Sequence, residues 1–235
     1  MKFVTLMENT TCREDLCCEH GLSLYLETGD HIILFDAGQS GAFAENGEKM
    51  GVDLQKVDFA VLSHGHYDHG GGLARFLEIN QKAPVYVSSY AFEPHYSANG
   101  YIGLDLQLQG REQIRPVAEE TVLAEGITLY QLDVVPADTA GLEMEEAGKR
   151  VLISGCSHKG ILQIMEAFRP DILVGGFHFM KITEEETLRQ AAEKLLEYDT
   201  VYYTGHCTGQ TQYAYLKEIM GEQLHYIAAG TTVVL

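Results

Sequence analysis

Short apolar runs, separated by polar and glycine-containing stretches, recur along the whole chain. Apolar and polar side chains alternate over 22–28, which is typical of a strand, and Gly29-Asp30 predicts the hairpin turn that follows. Over 70–79 the apolar residues instead have the spacing of a helix. In the first half the pattern predicts strands at 2–7, 22–28, 31–35, 58–62 and 84–88 and helices at 39–50 and 70–79.

The second half continues to alternate strand with helix. It predicts strands at 127–132, 150–153, 171–174, 200–203, 225–228 and 231–235 and helices at 161–168, 184–198 and 210–220. The stretch between the first two of these strands is acidic, and we interpret it as a loop. This order of elements favours an α/β fold, and we expect one domain over residues 1–235.

Residues 89–113 interrupt the alternation of strands and helices. They show little periodicity and are rich in polar, aromatic and glycine residues. Because long irregular insertions in compact domains are often functional, we predict that this segment is a lid or one wall of a substrate pocket. Short helices packed on the surface are the alternative.

A group of metal-competent side chains directly follows the predicted strand at 58–62. His64, His66, Asp68 and His69 lie within six residues, and Gly65 allows a tight turn between the first two. Imidazole nitrogen and carboxylate oxygen suit zinc, and iron or manganese nearly as well. The motif therefore predicts a metal-binding loop.

Six of the ten histidines lie where a predicted strand runs into a loop. Three of them, His158, His178 and His206, follow successive strands that each end in a small residue and glycine. Open α/β sheets place ligands at the carboxyl ends of their strands. We therefore expect these histidines to meet the loop at 64–69 at one edge of the fold.

Composition and charge narrow the range of partners. The chain has 46% hydrophobic residues, as soluble globular proteins do, but 16 basic against 34 acidic residues give a formal net charge of −18. Nucleic-acid binding depends on Lys and Arg against phosphates, so a nucleic-acid partner is not expected. The sequence contains no run of ~20 apolar residues, so no membrane partner is expected. Five cysteines and no signal peptide favour a reduced, cytoplasmic location.

The pattern His-x-His-x-Asp-His resembles the signature of the metallo-β-lactamase superfamily. Further motifs resemble one branch of it, the proteins similar to 7,8-dihydropterin-6-ylmethyl-4-(β-D-ribofuranosyl)aminobenzene 5′-phosphate synthase. The resemblance covers nearly the full chain and implies a four-layer αββα sandwich, with two mixed sheets flanked by helices. The motifs that carry it are Glu19-His20-Gly21-Leu22-Ser23, Phe35-Asp36-Ala37-Gly38, His64 to Gly72, Gly155 to Ile161, Gly175-Gly176-Phe177-His178 and Gly205-His206-Cys207-Thr208-Gly209.

The resemblance also implies a set of metal ligands. In this family His64 and His66 would hold one ion, while Asp68 and His69 would hold a second. His206 matches the last ligand of the superfamily.

Two positions depart from the family pattern. Most members place a metal-binding His roughly midway between the signature and the next site strand. Here the only His between 70 and 150 is His95, in an unpromising context, and His158 is the natural substitute. Cys156 stands where most dinuclear members have a bridging Asp. It could bridge as a thiolate, which would favour zinc, or it could be a buried, inert thiol. His178 has no clear counterpart and is assigned to substrate contact or to support of the ligands, with direct ligation open.

Three other features each allow two interpretations. Asp36 could brace the metal-binding loop, as it does in the family, or simply open a turn. Lys159, at a predicted helix start, could bind an anionic group of the substrate or could be a solvated surface residue. The cysteine-rich stretch from Cys12 to His20 is interpreted as a surface loop, with a zinc knuckle as the alternative.

The resemblance implies a metal-dependent hydrolase that uses a metal-bound hydroxide on a small ester, thioester, lactone or phosphoester. Asp68 would orient the hydroxide and later handle a proton, and His178 would contact the substrate. The expected cofactor is one or two zinc ions, with iron or manganese allowed. The alternative is a synthase-type transferase that releases pyrophosphate; a di-iron redox enzyme and a metal sensor rank lower. The expected partner is a small-molecule substrate that could be anionic, and a homo-oligomer is allowed.

Overall fold

Two seven-stranded sheets form the centre of the protein, and the computed structural model describes residues 1–132 and 139–235. The strands, in chain order, are β1 (Lys2–Met7), β2 (Ser23–Glu27), β3 (Ile32–Phe35), β4 (Phe59–Leu62), β5 (Val85–Ser88), β6 (Tyr96–Ser97), β7 (Gly100–Tyr101), β8 (Ile114–Val117), β9 (Thr121–Ala124), β10 (Ile127–Leu132), β11 (Thr139–Glu146), β12 (Lys149–Ser154), β13 (Ile172–Val174), β14 (Val201–Thr204), β15 (Leu224–Tyr226) and β16 (Thr232–Val234). The helices are α1 (Ala42–Lys49), α2 (Tyr67–Gly70), α3 (Leu73–Ile79), α4 (Ile161–Phe168), α5 (Glu185–Leu195) and α6 (Gln210–Met220).

Both sheets combine antiparallel and parallel pairing. The first has the order β16-β1-β2-β3-β4-β5-β8, antiparallel as far as β3 and parallel from β3 to β8. The second has the order β9-β10-β11-β12-β13-β14-β15, antiparallel as far as β12 and parallel beyond it. The strand ends that carry the predicted site, those of β4, β12, β13 and β14, all belong to the parallel parts.

Side chains that alternate along each central strand enter two different cores. On β3, Ile33 and Phe35 point between the sheets, whereas Leu34 packs on the outer side, against the layer that contains α1 and α3. On β12, Leu152 packs on the opposite outer side, against α4, α5 and α6. Two sheets with a helical layer on each outer face are the predicted αββα sandwich, and this prediction is confirmed.

The acidic stretch before β12 was predicted as a loop, and this prediction is wrong for its second part. Strand β11 pairs antiparallel with both β10 and β12. Glu143 and Glu145 alternate with Leu142 and Met144, which are buried, so these two glutamates face outward. Arg150 on β12 pairs with Glu143 across the strands. Charge therefore concealed a strand whose inner face is apolar.

The insertion at 89–113 contains the short hairpin of β6 and β7. Its backbone is bonded to the metal-binding loop, because Tyr67 N donates to Ile102 O at 2.9 Å and Gly103 pairs with His66 in a β-bridge. Movement of this segment as a lid stays a prediction, as does the assignment of one domain. No helix among the described residues is long and apolar enough to cross a membrane.

Candidate metal centre

The loop after β4 turns sharply and leads into α2, which carries Asp68 and His69. Gly65 fits this turn because a β-carbon there would collide with Ala91 O and come within 2.7 Å of His95 Nε2. His64, Asp68 and His69 are buried, and His66 is half-buried. The local sequence thus directs four donor groups to one side of the sheet edge.

His64, His66 and His158 converge as a first cluster. His64 Nε2 lies 3.0 Å from His66 Nδ1 and 3.3 Å from His158 Nε2. His158 reaches this position from the loop after β12, in the second sheet. The structure therefore brings His158 to the histidines predicted to hold the first ion, and its role as the substitute ligand stays a prediction.

Asp68, His69 and His206 converge as a second cluster. His69 Nε2 is 3.1 Å from His206 Nε2, and Asp68 Oδ2 is 3.3 Å from His206 Nε2 and 3.9 Å from His69 Nε2. His206 follows β14 and is buried, in a left-handed backbone conformation with φ of 49°. The two clusters together contain all the histidines predicted as ligands.

Cys156 lies where the two clusters meet. Its buried Sγ is 3.2 Å from His69 Nε2, and its donor atom lies within 4.8 Å of those of His64 and His158 as well as those of His69 and His206. The thiol is therefore in a position from which it could bridge two ions.

Asp36 braces the loop, and its contacts go beyond those of a simple turn residue. Its buried carboxylate accepts from Ser63 N at 2.7 Å and from Ser63 Oγ at 2.8 Å, and it lies 2.7 Å from His69 Nδ1. A proton on Nδ1 directs Nε2 of His69 toward the other donors. The bracing interpretation of Asp36 therefore agrees with the structure.

Glu8 and Asn9, which no sequence motif identifies, support His206 in the way that Asp36 supports His69. Buried Glu8 accepts from His206 N at 2.5 Å and from Tyr226 OH at 3.0 Å. Asn9 Oδ1 lies 2.9 Å from His206 Nδ1, which again leaves Nε2 free. Both residues directly follow β1, where polar residues are common, so no local pattern indicates their role.

Burial keeps the first cluster neutral. It lowers the pKa of His64 well below its ordinary value, and together with the neighbouring imidazoles it lowers the pKa of His158 to about 3. Burial likewise brings the pKa of His66 to about 4, although Asp68 opposes the shift. Neutral imidazoles can bind a metal ion at pH 7 without first releasing a proton.

Carboxylates dominate the second cluster. Burial acts to lower the pKa of His69, but Asp36 and Asp68 outweigh it and raise that pKa to about 9. Burial acts to raise the pKa of Asp68, but contacts with His69, His20 and His206 hold it below its ordinary value. Asp68 is therefore ionised, and a metal ion here would displace a proton from His69.

Cys207, which was given no role, lies beside Cys156 and His178. The donor atoms of these three residues are within 4.8 Å of one another. Burial raises the pKa of the Cys156 thiol, and contact with Cys207 adds to the shift. Burial opposes ionisation of Cys207 too, but hydrogen bonds from Cys156 and His178 lower its pKa.

A cavity of about 610 Å³ opens over both clusters. His178 is exposed on its wall, with its ring centroid 4.4 Å from that of His158. Lys181 also lines it, whereas Lys159 is not among the described residues that do. The insertion supplies one wall, through Pro94, His95, Tyr96, Ser97, Ala98 and Ile102.

His20 and His95 also line this cavity, and the sequence assigned neither to the site. His95 was judged unpromising, but its ring centroid is 5.1 Å from that of His66. His20 Nε2 lies 3.2 Å from Asp68 Oδ2. His20 belongs to one of the motifs that carry the family resemblance, and this was the one signal that could have identified it. Among the described residues, the groups able to hold a metal ion include His20 but none of Cys12, Cys17 and Cys18, which favours the surface-loop interpretation.

The donor atoms fit a divalent cation. The nitrogens that face one another in the two clusters are 3.0 to 3.3 Å apart, close to the separation of two ligand nitrogens on one tetrahedral zinc ion. An ion at the centre of each cluster would satisfy them together. The set of imidazole, carboxylate and thiol groups suits zinc, iron or manganese.

Comparison with known proteins agrees with this architecture. Residues 18–206 match the model of the metallo-beta-lactamase superfamily. The chain is 30% identical over 240 residues to an uncharacterized protein of Methanocaldococcus jannaschii, MJ0448, covering 88% of this chain and 90% of that protein. It is 27% identical over 267 residues to the 7,8-dihydropterin-6-methyl-4-(beta-D-ribofuranosyl)-aminobenzene-5'-phosphate synthase of the same organism, covering 92% and 90%.

Solved structures show the same fold. The crystal structure of Tm1679, described as a metal-dependent hydrolase of the beta-lactamase superfamily, superposes with a TM-score of 0.84 at 25% identity, covering 100% of this chain and 99% of that one. The metallo-beta-lactamase fold protein YhfI of Bacillus subtilis gives a TM-score of 0.70 at 16% identity, with 99% and 98% covered.

Proposed function

Because this chain belongs to the metallo-beta-lactamase superfamily, we propose that it is a metal-dependent hydrolase of a small ester, thioester, lactone or phosphoester. The observation that carries the proposal is the convergence of two histidine clusters around Cys156 beneath one cavity. The first comprises His64, His66 and His158, and the second comprises Asp68, His69 and His206. One loop and two separate strand ends meet there, an arrangement that a structural role alone would not require.

When bound, a divalent ion lowers the pKa of a water molecule and polarises a carbonyl or phosphoryl oxygen. In this chain the two clusters would hold the ion, and ionised Asp68, which lines the cavity, would accept a hydrogen bond from a water molecule there. Its neighbours His20 and His206 hold the carboxylate in place. His178, exposed on the cavity wall, is positioned to contact the substrate.

We propose zinc as the metal, in one or two positions, because neutral imidazoles and a central thiol are the ligands that zinc prefers. Manganese or iron would gain more from a carboxylate at the position of Cys156. All five cysteines are free thiols, which fits a reducing compartment, and we propose the cytoplasm as the location.

We propose a small substrate with an anionic group. Lys181 and His178 lie on the same wall of the cavity, where they can attract a phosphate or carboxylate. The formal net charge of −18 on the whole chain disfavours a nucleic acid as substrate. Whether the protein forms a homo-oligomer stays a prediction.

The test begins with protein stripped of metal by a chelator and reloaded separately with zinc, manganese or iron(II). Each form is assayed with p-nitrophenyl esters, a thioester, a lactone, a phosphomonoester and a phosphodiester. We expect turnover of at least one class, lost in the stripped protein and restored by a single metal. Metal binding without turnover of any class would contradict the proposed hydrolase.

A transferase is the second candidate, favoured by the 27% identity to the M. jannaschii synthase across nearly the whole of both chains. Incubation with a dihydropterin pyrophosphate and an aminobenzene ribofuranosyl phosphate distinguishes the two functions. Release of pyrophosphate only when both compounds are present would identify a synthase. Hydrolysis of either compound alone would favour the hydrolase.

A further inference from the structure

Three imidazole nitrogens surround one carboxylate oxygen, Oδ2 of Asp68. Nε2 of His20 is 3.2 Å away, Nε2 of His206 is 3.3 Å away and Nε2 of His69 is 3.9 Å away. The rings of His20 and His206 are 4.8 Å apart, centroid to centroid. His20, Asp68 and His206 thus form a compact set of nitrogen and oxygen donors, with all three donor atoms within 4.8 Å of one another.

The backbone on both sides of His20 is tied to the residues that present the other two donors. Leu22 N donates to Asp68 O at 3.2 Å, and Gly21 N donates to Asn9 Oδ1, the atom that also contacts His206 Nδ1. Before His20, Glu19 N donates to Glu8 O. A side chain at position 21 would press on Asp68 O, so this close approach needs glycine. The position of His20 is therefore built into the supports of the metal centre.

The His20 side chain contributes little to the core, because 41% of it is exposed. Together with Asp68 and His206, His20 lines the cavity. Because the backbone at His20 is fixed and its side chain adds little to the core, we attribute to His20 a role at the site.

We propose that His20 is a direct ligand of the metal ion held beside Asp68 and His206. This inference rests on the metal-dependent function proposed above, but it concerns binding rather than turnover. Apart from Cys156, which could contact both ions, the Asp68 side would then have four protein donors, the number found in closed sites, while the first cluster offers three histidines. The coordination position open to water and substrate would therefore lie on the side of His64, His66 and His158.

The competing explanation is that His20 only orients Asp68 by a hydrogen bond. His20→Ala and His20→Gln separate the two explanations, because glutamine can donate to Asp68 but is a poor ligand for zinc. His31→Ala is the matched control: its imidazole also lies beside an aspartate, 3.8 Å from Asp58, with 34% of the side chain exposed, at the other end of the sheet.

Zinc affinity is measured by competition with a chromophoric chelator, and the ligand set is followed by the visible absorption of bound Co²⁺. We expect both His20 variants to bind one ion at least ~10-fold more weakly and to change the Co²⁺ spectrum, while His31→Ala matches the natural protein. Added imidazole should restore the spectrum of His20→Ala, which a merely unfolded variant would not allow.

Natural affinity and spectrum in His20→Gln would overturn the proposal in favour of the hydrogen bond. Unchanged binding in both variants would overturn it as well. Neither measurement uses a substrate, so the inference can fail while hydrolysis is observed, and it can hold if the hydrolase proposal fails.

Discussion

The two sheets have the same sequence of strand directions, three antiparallel pairings followed by three parallel ones, yet they carry their donors differently. In the first sheet one loop after β4 supplies His64, His66, Asp68 and His69. In the second sheet the donors are distributed over three strand ends. Cys156 and His158 follow β12, His178 follows β13, and His206 follows β14.

This difference shows that the two halves position their donors by different means. The loop of the first sheet is shaped by Ser63, by the tight turn at Gly65 and by Asp36 at the end of the neighbouring strand β3. The donors of the second sheet instead depend on the parallel register of β12, β13 and β14, in which Ile153 lies opposite Val174, and Val174 opposite Tyr203. We therefore expect the donors of the loop at 64–69 to keep their positions better than the donors of the second sheet when a distant residue is substituted.

Removing a donor from the loop at 64–69 should have the largest effect on metal binding and activity. Asp68→Ala removes the carboxylate oxygen that three imidazoles approach. We expect loss of one metal ion and a fall in kcat/KM greater than the roughly 100-fold that loss of a supporting residue costs. Metal analysis and kinetics on the same preparation measure both. Full activity in this variant would contradict the proposed chemistry.

The supporting residues of the two halves allow a direct comparison. Asp36→Asn removes the charge beside His69, and Asn9→Ala removes the acceptor beside His206. We expect a 10- to 100-fold loss of zinc affinity for each, larger for Asp36 because its carboxylate is buried and charged. Asp58→Asn, on an exposed aspartate that accepts from Ile32 N, is the control. A negligible loss of zinc affinity in both variants would show that neither Asp36 nor Asn9 supports the site.

Substitution of Cys156 or Cys207 tests whether a thiol binds a metal ion where the donors of the two sheets meet. Co²⁺ bound to a thiolate has a strong charge-transfer absorption, and we expect Cys156→Ser to abolish it and to weaken zinc binding about 10-fold. Cys207→Ser should retain most of the absorption, because Cys207 Sγ is oriented toward the Cys156 carbonyl oxygen, 3.5 Å away. An undiminished absorption in Cys156→Ser would identify Cys156 as an inert thiol.

The pH dependence of stability should distinguish the clusters in metal-free protein. The pKa values of His66 and His158 are lowered to about 4 and about 3, so the unfolded state binds more protons below pH 6.5 and stability falls on acidification. The pKa of His69 is raised to about 9, so its contribution is complete below pH 6.5 and is lost between pH 6.5 and 9.

Metal-free protein should therefore unfold at its highest temperature near pH 6.5, with a fall of roughly 5 °C on either side. Thermal unfolding in a chelator, from pH 5 to 9, measures this. His69→Gln should remove the fall on the alkaline side only. A flat profile would mean that the histidines are not held as the structure shows.

Much of the fold could be predicted from periodicity alone. The strands that flank the site and the helices at 161–168, 184–198 and 210–220 lie within a few residues of their predicted positions. The pattern did not predict β8, β9 and β11. Strand β11 was missed because its three glutamates make the stretch acidic and conceal the inward-facing Leu142 and Met144.

The metal-binding loop could be recognised in the sequence because its four donors are neighbours along the chain, joined by the tight turn at Gly65. The histidines after β12, β13 and β14 could be predicted to lie at one edge, since parallel strands end together. Their pairing into clusters, the position of Cys156 between them and the support that Glu8 and Asn9 lend to His206 came from the packing of one sheet on the other. Contacts between residues nearly 200 positions apart, such as Asn9 with His206, leave no periodic trace in a sequence, because they depend on how distant strands are brought together.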